Sequence, residues 1–158
     1  KIGDTVKFTC LNPYRIKITG RTKHFINVFG EELVIENAEK ALSLTSELTK
    51  SSISDYTVGP VFVGSKTKGS HEWLIEFDKQ PDDLNKFMEI LDLNLQSLNS
   101  DYEAKRYKSS TLELPKLVVA RKNLFYDWLS SKNKLGGQNK IPRLSNSREF
   151  IEELISMN

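Results

Sequence analysis

Glycines beside amides and cations can close over a phosphate, and Gly136-Gly137-Gln138-Asn139-Lys140-Ile141-Pro142-Arg143 has that make-up. Lys140 offers a compact charge on a long stem and Arg143 a planar fork of donors. The segment does not match the G-x-x-x-x-G-K-[ST] phosphate loop, so that class of nucleotide binder is not indicated. An exposed basic linker would have the same composition. A second place is Gly3-Asp4, ahead of Thr5-Val6-Lys7-Phe8. A carboxylate there could accept from two neighbouring hydroxyls, as on a ribose, because it carries two acceptor oxygens in one plane. An Asp after Gly is also an ordinary turn. A third candidate, Gly20 to Glu32, holds Arg21, Lys23 and His24 and reads by itself as strand, charged turn and strand. His71, two residues before Trp73, reads as a sheet-edge or surface histidine, since no acid or nucleophile stands near it in a recognisable pattern.

The elements that must position these groups follow from periodicity. Tyr14 to Thr19 alternates, with Tyr14, Ile16 and Ile18 expected to face a core. With the apolar run Phe25 to Phe29 it suggests a small hairpin or a strand-turn-strand. Residues 36–50 repeat at three- and four-residue spacing and predict an amphipathic helix. Tyr56 to Val63 is a β-rich run around Gly59-Pro60, where a bend, bulge or edge is expected. Glu72 to Phe77 alternates again, with Trp73, Ile75 and Phe77 on one side. Pro81-Asp82 opens a helix whose stripe runs from Leu84 to Leu98. A short helix over 101–108, a brief strand at Leu117 to Ala120 and a helix around Phe125 to Leu129 follow. Asn133 to Pro142 reads as a loop with nothing to bury. Asn146 and Glu149 have the spacing of a capping box before a last helix. The class is α+β: a mixed β-sheet of three to five strands flanked by α-helices, preceded by a short β-hairpin segment.

The chain has 158 residues, 38% hydrophobic and 28% charged, which suits one globular domain. No stretch approaches the roughly 20 apolar residues of a membrane helix. A single cysteine, Cys10, excludes an internal disulfide and makes a cytoplasmic location the expectation. One cysteine and two histidines assemble no zinc-ligand pattern, so no metal site is expected from side chains. From Lys105 to Arg143 there are ten Lys or Arg against two acids, whereas the rest of the chain is acidic. Such a segment suits an anionic ligand or a solvated basic face.

Taken in order, these places resemble one family. Gly20-Arg21, Ile26-Asn27, Gly30 and Glu32-Leu33 look like the hinge and following strand of acyl-adenylate-forming enzymes. Lys1 to Val6, Ile18 to Lys23, His71-Glu72-Trp73, Asn99 to Tyr102 and Gly137 to Arg143 resemble the auxin-responsive Gretchen Hagen family of acyl-acid amido synthetases, nearer its bacterial members. The Gly-Gln-x-Lys-x-Pro-Arg segment and the Gly-Asp start are the specific parts. The resemblance implies an enzyme that adenylates a carboxylic acid with ATP and Mg2+ and passes the acyl group to an amine, in the family usually an amino acid. Residues 1–20 would be the end of a large amino-terminal domain and the approach to a hinge, and 21–158 a mobile carboxy-terminal domain. Asp4 would hold the ribose, Lys140 would reach the α-phosphate, Arg21 and Arg143 would help bind the nucleotide, and Lys23 would lie at the hinge. Lys1 stands where the family has Arg. The large amino-terminal domain would be a further part of the same polypeptide, and the 158-residue piece alone would be inactive.

Two other readings give different tests. A nucleic-acid binder would use the basic segment with Tyr102, Tyr107, Phe125 and Tyr126 as stacking groups, and its retention on DNA would fall steeply with salt. A regulatory domain would keep the fold without the chemistry and bind a partner independently of nucleotide.

Overall fold

The computed structural model describes residues 4–21, 25–134, 136 and 140–158. One long strand, β6 (Ser65–Lys79), organises the fold. It lies between β5 (Ser52–Val63), which pairs with it antiparallel, and β7 (Lys116–Ala120), which pairs parallel. Alternation sends Trp73 and Ile75 to one face and Leu74 to the other, as the period-2 pattern requires. Both faces are covered, so both sets are buried.

On the first face lie α1 (Ile35–Thr49), α2 (Leu84–Leu98) and α3 (Ser100–Arg106). Ala38, Ala41 and Leu42 of α1, with Phe87, Leu91 and Leu95 of α2, form a stripe at helical spacing against Trp73, Ile75, Tyr56 and Val58. Side chains start two of these helices. Asp83 accepts from Lys86 N at 3.0 Å, and Asn99 accepts from Tyr102 N at 2.7 Å. On the second face α4 (Leu124–Ser131) and α5 (Glu149–Met157) bring Leu124, Phe125, Trp128, Ile151 and Leu154 onto Leu74. A Cβ at Gly59 would stand 2.9 Å from Ile151 Cγ2, so glycine there lets α5 press close to β5. No helix among the described residues is long and apolar enough to cross a membrane.

The α+β class and the mixed sheet stand as expected. Gly59-Pro60 marks an edge: β5 is outermost in its sheet, and the register runs through Gly59 and Pro60 without a shift. Pro60 has no N–H to give a further strand, which suits that place.

Three local expectations are corrected. Tyr14 to Thr19 does not pair with Phe25 to Phe29. β2 (Tyr14–Arg21) pairs with β1 (Asp4–Leu11), while β3 (Phe25–Ile26) pairs with β4 (Leu33–Val34). Asn12-Pro13 supplies the tight turn that directs the first pairing. Nor do Tyr14 and Ile16 face a core; they are 78% and 58% exposed. Finally, Asn146 caps no helix. Its Oδ1 accepts from Asn27 N at 2.8 Å and its Nδ2 donates to Phe25 O at 2.9 Å, tying β3 to the approach of α5. That helix starts without a side-chain cap.

Candidate functional site

Lys140 is exposed on the rim of a cleft of about 290 Å3. Arg143, Glu39 of α1 and Asp55 of β5 border the same cleft, with Leu129 and Ile141 as its apolar wall. Two cations and two carboxylates thus share one opening. A neighbouring cleft of about 380 Å3, between α1 and the start of β5, also borders Glu39 and Arg143 and adds Tyr56 and several serines.

The chain just after Lys140 is bound to the outer edge of β5. Thr57 Oγ1 donates to Pro142 O at 2.7 Å, Val58 N to Arg143 O at 3.0 Å, and Ser145 N to Val58 O at 3.1 Å. These bonds make Leu144 a one-bridge parallel neighbour of Val58. Ile141 and Leu144 are buried. The expectation that nothing in Asn133 to Pro142 could be buried is therefore wrong at Ile141. The reason is the open edge of β5, whose backbone groups take up the segment.

Arg143 folds back across the strand. Its Nη1 donates to Asp55 Oδ1 and to Tyr56 O, and its guanidinium carbon lies 4.7 Å from the centre of the Tyr56 ring. Tyr56 in turn stacks on the fully buried Trp73 at 5.9 Å. Nε and Nη2 of Arg143 have no hydrogen-bond partner among the described residues. Burial pushes the Asp55 carboxyl above the ordinary range, even though Arg143 and the Tyr56 N–H pull it down. Burial also raises the Tyr56 hydroxyl well above its usual value, which keeps it neutral.

Asp4 and Arg21 occupy the open end of the β1–β2 hairpin, where the register sets them opposite each other. Lys23 lies outside the described residues, as do Gly137, Gln138 and Asn139. Among the described residues no group of three or more His, Cys, Asp or Glu is placed to hold a metal. His71 is not a surface or edge residue. It is buried, with Nε2 2.8 Å from Oε1 of the equally buried Glu31. Of the four aromatics proposed to stack on bases, Tyr102 and Phe125 are buried, while Tyr107 and Tyr126 are exposed.

Glu39, Asp55 and Tyr56 escaped the sequence reading. Asp55 stands directly before the β-rich run that the sequence reading starts at Tyr56, where an Asp reads as an ordinary strand boundary.

A fold of helices on both faces of a small mixed sheet has known counterparts. The model of the GH3 family C-terminal domain matches residues 36–149, and the chain belongs to that family. A solved structure, "GH3.15 acyl acid amido synthetase", is similar to it with a TM-score of 0.76 at 18% identity, over 98% of this chain and 29% of that one. A second, "AtGH3.15 acyl acid amido synthetase in complex with 2,4-DB", has a TM-score of 0.73 at 18% identity over the same shares. This chain therefore spans less than a third of either. No curated protein matches the sequence.

Proposed function

We propose that this chain is the carboxy-terminal part of an ATP-dependent acyl-acid amido synthetase, a ligase of the cytoplasm. The observation that carries the reading is Lys140, exposed beside Arg143 at one cleft on a segment fastened to the sheet. Family membership and the similarity to solved acyl acid amido synthetases support it.

In this reading a substrate carboxylate attacks the α-phosphorus of ATP and pyrophosphate leaves. Negative charges meet in that step, and Lys140 stabilises them electrostatically. Arg143 offers Nε and Nη2 to the same anion. These donors suit phosphate oxygens, and magnesium would be held through the nucleotide phosphates. An amine, of amino-acid type, then attacks the acyl carbon, and AMP leaves with its electron pair. Asp4 would hold the ribose hydroxyls, Arg21 would assist it, and Lys23 would serve the hinge. Residues 1–20 would belong to a large amino-terminal domain of the same polypeptide, and 21–158 would move against it.

Acid-dependent exchange of pyrophosphate into ATP by the full-length protein tests the proposal. Across a panel of carboxylic acids at least one should support exchange. Lys140→Ala should reduce it by about a hundredfold or more, the scale of one lost transition-state charge contact, and Asp4→Ala should raise the KM for ATP. The 158-residue chain alone should show none. Exchange that survives Lys140→Ala would remove the assignment. No exchange with any acid would favour a regulatory domain.

A further inference from the structure

Lys140 has no ion-pair partner among the described residues, so its place depends on the backbone that follows it. Three hydrogen bonds from Thr57, Val58 and Ser145 fasten that backbone to β5. A fourth attachment comes from the side chain of Arg143, three residues beyond Lys140. Asp55 Oδ1 accepts from Arg143 Nη1 and also from Tyr56 N, the latter at 2.8 Å. The carboxylate is thus oriented by the strand before it meets the guanidinium. Asp55 grips one edge of the guanidinium and Tyr56 covers one face, which leaves the edge carrying Nε and Nη2 for a ligand.

An ion pair of this kind contributes little to folding when solvent reaches it, and the Asp55 and Arg143 side chains are 37% and 31% exposed. Its consequence is geometric. We propose that Asp55 is a positioning residue for adenylation: through Arg143 it fixes the segment that carries Lys140 and holds both cations toward one anion. This rests on the reading of Lys140 given above.

A double-mutant cycle in the full-length protein tests it, with pyrophosphate exchange, KM for ATP and thermal unfolding measured together. Asp55→Asn should lower the exchange rate about ten- to a hundredfold, the cost of misplacing a charged group by an ångström or so. The unfolding temperature should hardly change, and Asp55→Glu should restore part of the rate. In a Lys140→Ala background, Asp55→Asn should cost clearly less than in the parent, because the share of its effect that passes through the lysine is gone and only the share through Arg143 remains. If Asp55→Asn does not fold, Asp55→Ser, which removes the carboxylate and leaves Arg143 in place, carries the same comparison. Wild-type exchange in Asp55→Asn, or the same fold-loss in both backgrounds, overturns the proposal. If Lys140→Ala itself exchanges normally, the site reading and this inference fall together. If Lys140→Ala collapses and Asp55→Asn does not, this inference falls alone.

Discussion

Glu31 and His71 are sealed from solvent and meet at 2.8 Å through His71 Nε2, whose Nδ1 has no partner among the described residues, and the Phe29 N–H donates to the second Glu31 oxygen at 2.7 Å. Burial alone would raise the Glu31 carboxyl, but the hydrogen bond and charge of His71, with backbone N–H groups, outweigh it and hold the carboxyl below the usual range. A carboxyl lowered by folding stabilises the protein above its unfolded value, and that share is lost as pH falls through the folded value. Glu31→Gln should therefore lower stability at neutral pH by about 3 kcal/mol, as breaking a buried pair does. It should also flatten the loss of stability below about pH 4. Urea unfolding at several pH values measures both. If the variant keeps the slope of the parent, acid sensitivity lies in other carboxyls.

At the scale of elements, Asn146 shows how a local pattern can serve a distant partner. Its side chain joins β3 to the approach of α5 through two hydrogen bonds across about 120 residues of sequence, the first to Asn27 and the second to Phe25. Asn146→Ala should cost about 1–2 kcal/mol and expose the Asn27 amide, whose N–H loses its acceptor, to hydrogen exchange ahead of those in α5. Had Asn146 capped the helix, exchange would rise first at the start of α5. Asn99 does cap its helix, and it also donates to Glu32 O at 3.1 Å. By pattern Asn146, with Glu149 three residues on, was the better capping candidate, and Asn99 has Tyr102 at that spacing; only the chain folded around them decides which N–H lies within reach.

At the scale of the whole molecule, the β1–β2 hairpin presents Phe8 opposite Ile16, with the Phe8 ring 5.9 Å from Tyr14, and all three are exposed. An apolar surface of this kind marks a contact, and the proposed amino-terminal domain is the partner that the reading supplies. Phe8→Ser with Ile16→Ser should leave the unfolding of the 158-residue chain within about 0.5 kcal/mol of the parent, as surface changes do. In the full-length protein the same pair should cost about 3 kcal/mol or more. Equal effects in both would mean that the hairpin covers nothing beyond this chain.

Much of the molecule was legible from local pattern. The period-2 run with Trp73 and Ile75, the 3.6-period stripes of α1 and α2, and Gly59-Pro60 at an edge all depend on neighbours in sequence, where sterics and side-chain direction act without help from the fold. The lysine segment was legible too, because Lys140 and Arg143 stand three residues apart among glycines and amides. The β1–β2 pairing is local, with Leu11 facing Tyr14 across Asn12-Pro13, but Tyr14 to Thr19 could equally be read toward Phe25. Three other features depend on residues far apart in sequence. Packing buried His71 against Glu31, 40 positions away. The open edge of β5 took in Ile141 and Leu144. Asp55 met Arg143 across 88 positions. Hydrogen-bond geometry and burial are properties of groups brought together in space, so these three were decided only when the tertiary structure closed.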